Sequence, residues 1–271
     1  MVFGSSLTAA LRLLAYVSFT LAIMPLQALS LTLRLPLVTA VPLWYHRRCC
    51  RILGFRVERR GRQSRMKPTL YVSNHSSYLD ITVLGSLIAG SFVAKSEVAD
   101  WFFFGWLAKL QRTVFVERRA LKSVAQRDEM ARRLESGDNL ILFPEGTSDD
   151  GNRVLPFKSA LLSVAERRPH DEPLTVQPVS VAYTRLDGLP LGRSLRPLFA
   201  WYGDMDLAPH LWQLAGLGRL TIVVHFHPPV SIEDFASRKR LSDHCQAEVA
   251  KGVALALSGR SRAAARKAKA A

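Results

Sequence analysis

Between Arg12 and Arg34 the chain carries 21 residues without a formal charge, LLAYVSFTLAIMPLQALSLTL. About 20 apolar residues are enough for a helix to cross a hydrocarbon core, so Leu13–Leu33 has the length of a span. The run is longer than the apolar region of a cleavable leader, and no small-residue cleavage site marks its end. A second apolar stretch, Leu35–Tyr45, follows at once; it contains Pro36 and Pro42 and is too short to span comfortably. The two segments together also fit a helical hairpin dipping into one leaflet, and the sequence does not choose between spanning and dipping. Arg34, Arg47, Arg48, Arg51, Arg56, Arg59 and Arg60 all follow the apolar run, whereas only Arg12 precedes it. The positive-inside rule therefore predicts attachment to the inner, cytoplasmic membrane with the body of the protein in the cytoplasm.

Charge agrees with a lipid partner. Lys and Arg total 37 against 22 Asp and Glu, a formal net charge of +15, which implies an anionic surface or substrate. No zinc finger, RNA-binding aromatic signature or helix-turn-helix is present, so nucleic acid is not the expected partner. The three cysteines, Cys49, Cys50 and Cys245, form no disulfide framework and fit a reducing compartment. Cys49 and Cys50 adjoin the apolar segment, where acylation is conceivable, but buried thiols are the simpler account.

From about residue 65 short β-like runs alternate with helical ones. Leu70–Ser73, Ser91–Ala94, Thr113–Val116, Asn139–Phe143, Val176–Tyr183 and Leu220–Phe226 read as strands. Glu97–Leu110, Leu121–Glu135, Ser159–Arg167 and residues 239–258 read as helices. The alternation predicts an α/β domain, a mixed sheet flanked by helices. The expected division is a membrane-attachment segment over 1–60, a catalytic body over 61–258, and a basic, low-complexity disordered tail over 259–271. Residues 186–219, rich in Pro and Gly, read as a long excursion with little regular structure that could cover a site.

Two short segments carry chemistry. Asn74-His75-Ser76-Ser77-Tyr78-Leu79-Asp80 follows a strand, where open α/β sheets present functional groups. Transfer of an acyl group to an alcohol needs a base for the hydroxyl proton, and neutral imidazole suits that task near neutral pH. Asp80 lies five residues on, so a turn braced by Asn74 brings its carboxylate back to fix the imidazole tautomer. For an isolated pair of this spacing, an incidental surface turn is the commoner account. The second segment, Phe143-Pro144-Glu145-Gly146-Thr147-Ser148, follows the run NLILF: Pro144 stops the strand and Gly146 permits close backbone approach. Read alone it is an ordinary turn.

Together, NHSSYLD and LFPEGTS resemble the first and third blocks of the glycerolipid acyltransferase family, which includes the 1-acyl-glycerol-3-phosphate acyltransferases. Thr113-Val114-Phe115-Val116-Glu117-Arg118 is similar to the second block, and Val176-Gln177-Pro178-Val179-Ser180 to the fourth. The resemblance covers about residues 65–185. It implies His75 as general base with Asp80 as its orienting partner, and Arg118 as a ligand of an anionic head group. It implies that Glu145, Gly146 and Thr147 position the acceptor, that Pro178 closes the pocket, and that Lys95 and Lys158 are basic positions near the site. Acyl-CoA or acyl carrier protein would be the co-substrate, a lysolipid the acceptor, and no cofactor or metal is expected. No G-x-S-x-G elbow occurs, so direct attack by the acceptor is expected rather than an acyl-enzyme on Ser76 or Ser77.

One departure bears on the acceptor. The third block commonly continues E-G-T-R, but Ser148 stands in the arginine's place and Asp149-Asp150 follow. The family's broad pattern puts 1-acyl-sn-glycerol-3-phosphate first, giving phosphatidic acid. The alternative is lyso-ornithine lipid, a phosphorus-free aminolipid, because FVAKSEV and DGNRVLPFKSA are similar to the branch that acylates it. A non-catalytic lipid-binding protein is a remote alternative that has no need of both His75 and Asp80, and a thioester hydrolase is another. His225 and His227 alternate on a strand without a third metal ligand, and strand packing accounts for them. His170 and His210 fall in loops with no readable role. Trp101, Phe102, Phe103, Phe104 and Trp106 suit a membrane interface, an acyl pocket or the core.

Overall fold

A computed structural model of the protein describes residues 4–116 and 124–259. Fifteen named elements organise them around one sheet. Helix α1 (Ser6–Thr32) and helix α2 (Ala40–Ile52) precede strand β1 (Phe55–Gly61). Then come β2 (Thr69–Ser73), α3 (Leu79–Gly85), β3 (Ser91–Lys95), α4 (Phe104–Leu110), β4 (Val114–Val116), α5 (Val124–Glu135) and β5 (Leu140–Leu142). The chain continues through β6 (Thr175–Leu186), the two-residue β7 (Leu189–Pro190), α6 (Leu207–Ala215), β8 (Leu220–Phe226) and α7 (Arg238–Leu257).

The strand order is β1-β8-β6-β2-β5-β3-β4, with β7 paired to β6. Strands β6, β2, β5, β3 and β4 run parallel; β8 pairs antiparallel to β6 and parallel to β1, so the sheet is mixed. Period-two alternation sorts its side chains between two cores. Tyr71, Ile141, Val181 and Ile222 face one core with α2, α3 and α6, whereas Leu70, Val72, Leu140 and Val176 face the other with α5 and α7. Burial on both faces explains why the central strands are near-continuously apolar.

Several sequence expectations are refined. Strand β1 (FRVERRG) reads as a basic flank because Arg56 and Arg59 are exposed at the sheet edge, yet Phe55 is buried and Val57 packs on the core. The sheet therefore begins within residues 1–60. Glu97–Leu110 is not one helix: a 3-10 turn over Ser96–Asp100 and α4 are separated at Phe103, whose φ of 64° no helix accommodates. Ser159–Glu166 is 3-10. The excursion 186–219 contains α6, which tolerates Pro209 because it falls in the first helical turn. α3 begins at Leu79, so the turn expected between His75 and Asp80 runs directly into a helix. The tail after Gly259 lies outside the described residues.

Helix α1 inverts the usual amphipathic arrangement. Thr20, Gln27 and Ser30 are buried against the body, while Leu7, Leu11, Leu14, Leu21 and Leu29 are exposed along its length. Polar bonds fasten it: Arg12 Nη1 donates to Leu217 O (2.6 Å) and Ala215 O (3.1 Å), and Gln27 Nε2 donates to Val38 O (3.1 Å) and Leu110 O (3.0 Å). Trp44, Phe102 and Trp106 add to the exposed apolar surface.

Candidate active site

The carboxyl ends of β2, β5 and β3 lie side by side, the edge where parallel sheets present ligand-binding groups. β2 ends at Ser73, and the Asn74 side chain takes over its pairing with β6. Asn74 Nδ2 donates to Val181 O (2.9 Å), and Val181 N–H donates to Asn74 Oδ1 (2.8 Å). This bridge releases the main chain from the ladder and aims His75 away from the strand.

His75 Nδ1 lies 2.9 Å from Asp80 Oδ2, and its side chain is 22% exposed. Asp80, in the first turn of α3, is wholly buried. Its Oδ2 also accepts from the N–H groups of Ser76 (2.8 Å) and Ser77 (3.0 Å), and its Oδ1 from the Tyr183 hydroxyl (2.6 Å). Oδ2 accepts from two backbone N–H groups and so acts as acceptor toward Nδ1–H as well, which leaves the Nε2 lone pair as a base. The imidazole also stacks on Phe143, with centroids 4.1 Å apart and planes 19° apart.

The turn after β5 supplies the second half. Glu145 Oε1 accepts from His75 N–H (3.1 Å), and Glu145 Oε2 is buried without a hydrogen-bond partner among the described residues. Burial pushes the Glu145 carboxyl up to about 8; the amides of His75 and Leu155 oppose this, and the charges of Asp80 and Asp149 add to it. Gly146 has φ +67°, and a Cβ there would stand 2.9 Å from Lys158 Nζ. Lys158 is thereby brought to the site, anchored by its N–H to Pro144 O (2.9 Å). Thr147 is exposed beside it. Ser148 Oγ donates to Trp201 O (2.6 Å), Trp201 N–H donates to Ser76 O (2.8 Å), and Asp149 N–H reaches His75 O (3.3 Å). The excursion after β7 is thus pinned over the turn His75–Tyr78.

Of the remaining expected positions, Lys95 and Pro178 lie on strands. Lys95 ends β3 in register with Val116, half-buried. Pro178 is buried within β6 opposite Val72, where its carbonyl accepts His227 N–H (3.0 Å), a place in the sheet rather than at a pocket rim. Arg118 lies outside the described residues. Sequence reading missed Tyr183 and Trp201, neither of which falls within a motif block; alternation along β6 is the only signal that turns Tyr183 toward the same core as Val181.

Between α1, α2, α3, α4 and α6 lies a largely apolar cavity of about 170 Å³. Tyr78 and Leu79, between His75 and Asp80 in the chain, form part of its wall, with Tyr16 and Ile23 of α1 opposite. The aromatic cluster divides: Trp101 and Phe104 line the cavity, whereas Phe102 (89%) and Trp106 (57%) are exposed. Among the described residues no group of three or more His, Cys, Asp or Glu side chains is arranged to hold a metal. All three cysteines are buried and free.

Residues 54–182 match the model of the Acyltransferase family. Over 250 residues the chain is 44% identical to a lyso-ornithine lipid O-acyltransferase of Brucella abortus, covering 91% of this chain and 94% of that one. The chain belongs to the acyltransferase family. A second lyso-ornithine lipid O-acyltransferase, from Rhizobium meliloti, is 41% identical, covering 92% of this chain and 87% of its own. A 1-acyl-sn-glycerol-3-phosphate acyltransferase of Neisseria gonorrhoeae is 30% identical, covering 66% of this chain and 67% of its own. The crystal structure of the 1-acyl-sn-glycerophosphate acyltransferase from Thermotoga maritima shares the fold. Its TM-score is 0.56 at 22% identity, over 89% of this chain and 96% of that one. The α/β acyltransferase fold behind a long apolar N-terminal helix is thus shown, and the protein is a lysolipid-type acyltransferase.

Proposed function

We propose that this acyltransferase esterifies the free hydroxyl of a lyso-ornithine lipid with a fatty acyl group taken from acyl-CoA or acyl carrier protein. The acceptor reading rests on one observation: two relatives above 40% identity carry that name over nearly the whole chain, against 30% for a 1-acyl-sn-glycerol-3-phosphate acyltransferase. This reverses the order of acceptors expected from the motifs alone. The site chemistry supports it. Position 148 offers a serine committed to Trp201 O, and Asp149 and Asp150 follow. The Asp149 carboxylate pairs with Arg153 Nε (2.8 Å) and Asp150 holds Asn152, so the segment offers a phosphate no arginine at 148.

His75 Nε2 would take the proton of the acceptor hydroxyl as its oxygen attacks the thioester carbonyl. Asp80 stabilises the imidazolium, which returns the proton to the departing thiolate as the tetrahedral intermediate collapses. Lys158 beside Gly146 would favour negative charge developing near the turn. The acyl chain would lie in the apolar cavity behind Tyr78 and Leu79. The exposed leucines of α1, with Trp44, Phe102 and Trp106, would rest on the bilayer, α1 lying along the body rather than crossing alone. The arginines after α1 favour the cytoplasmic face of the inner membrane.

The deciding experiment offers labelled palmitoyl thioester with lyso-ornithine lipid or lysophosphatidic acid to purified protein in vesicles, wild type beside His75→Ala. Transfer to lyso-ornithine lipid that disappears in His75→Ala is expected. Transfer to lysophosphatidic acid alone would overturn the acceptor, and full turnover in the variant would overturn the base.

A further inference from the structure

A buried carboxylate needs donors on both oxygens, because each lone pair left bare in an apolar core costs the solvation it gave up. Asp80 Oδ2 has three: His75 Nδ1–H and the N–H groups of Ser76 and Ser77. Among the described residues Asp80 Oδ1 has one, the Tyr183 hydroxyl at 2.6 Å. Tyr183 arrives from β6, far along the chain, and is buried in the core that holds Leu79 and Val83. Its ring stacks on Phe199, with centroids 6.3 Å apart and planes 8° apart. Directly after it the pairing of β6 with β8 shifts register, a bulge of the kind that re-aims side chains near sites.

We infer that Tyr183 is a positioning residue of the acyl transfer, acting through Asp80. Its hydroxyl fixes the carboxylate so that Oδ2 faces His75, and it draws negative charge toward Oδ1. It thereby sets the pH at which the His75–Asp80 pair takes up an inactivating proton. Burial, and then the charge of Asp80, push the phenol well above its ordinary value, so it donates throughout the working range. Without this donor, negative charge concentrates on Oδ2 and the pair binds a proton at higher pH, whichever atom carries it.

Among the described residues Glu145 of the turn after β5 faces Asp80, with Asp149 beside it and Lys158 against Gly146, whereas Tyr78 and, from α2, Cys50 face Tyr183. Glu145, pushed up to about 8 by burial, changes charge on the alkaline side of the profile. The acid limb therefore reports the pair.

The test is the pH profile of kcat/KM for Tyr183→Phe, which keeps the ring and removes the donor. The acid limb should move to higher pH by about one unit. A fluorinated tyrosine installed at 183, a stronger donor of nearly the same shape, should move it to lower pH. Phe199→Leu loosens the same pocket but leaves the hydroxyl, so its melting temperature should fall with the limb in place. The inference rests on His75 as the base, so His75→Ala is measured alongside. Activity in that variant would refute the base reading. Loss there with an unmoved limb in both Tyr183 variants would refute the role of Tyr183 alone.

Discussion

His75 and His227 each face a carboxylate, Asp80 at 2.9 Å and Glu248 at 3.5 Å, yet their surroundings make them opposites. His75 stands beyond a strand's carboxyl end with an accessible ring, and its partner carboxylate is anchored by three other donors. His227 lies past β8 with its side chain 5% exposed. Its Nε2 is 2.6 Å from Ser180 Oγ, and that hydroxyl donates on to Val249 O at 2.9 Å. Gly252 of α7 packs so closely that a Cβ there would sit 2.6 Å from His227 Nε2. A serine, a histidine and a glutamate are thus near one another with no room for a substrate, and the carboxylate stands 3.5 Å from the ring rather than 2.9 Å. Triad-like composition is not a site; an orienting bond on one nitrogen and open space at the other make one.

Substitution should separate the two histidines most sharply. His75→Ala removes the base, and kcat/KM should fall by about 10³-fold, within the range of general base catalysis, while the protein still folds. His227→Gln should leave kcat/KM close to wild type but lower stability by about 1–3 kcal/mol, the cost of disturbing a buried hydrogen bond. Comparable losses of activity in both variants, measured on protein of matched folded fraction, would erase the distinction.

Two glycines sharpen the comparison at smaller amplitude. Gly146 and Gly137 both have left-handed backbones, φ +67° and +79°, so alanine at either is strained by about 1–2 kcal/mol. A Cβ at 137 meets nothing within 4 Å, whereas at 146 it stands 2.9 Å from Lys158 Nζ. Gly137→Ala should therefore lower only the melting temperature. Gly146→Ala should also raise KM, because it pushes the Lys158 ammonium out of the turn. Steady-state kinetics showing unchanged KM in Gly146→Ala would remove Lys158 from the site.

The order of strands after residue 65 was legible because their apolar runs are bounded by turn residues, and β8 was read to its last residue. His75 and Asp80 were legible through spacing and resemblance together. What escaped reading depends on contacts distant in sequence. β1 became a strand through its pairing with β8, against a charge pattern that suits a membrane flank. Tyr183 reached Asp80 across 103 positions. The polar face of α1 was hidden inside a run notable only for lacking charge, and Thr20 and Gln27 gained meaning when their partners Tyr45, Val38 and Leu110 came into view. Ser148, read as a missing arginine, proved to be the residue that holds Trp201.

The smallest expected effect is the pH dependence of stability, in which His227 and the active-site turn pull in opposite directions. Burial first, then the charge of His225, lower His227 from 6.5 to about 4. The unfolded chain therefore holds the extra proton between those values. This contribution is full above about pH 6.5 and is lost as the pH falls toward 4. Glu145 behaves inversely: burial raises it from 4.5 to about 8, so the folded chain holds the extra proton. Its contribution is full below about pH 4.5 and is lost as the pH rises toward 8. Melting temperatures measured across this range should fall less steeply on the acid side in His227→Gln, and less steeply on the alkaline side in Glu145→Gln, by a few degrees in each case. If His227→Gln instead flattened the alkaline side, His227 would be charged in the folded protein. The contrast with His75 would then rest on access alone.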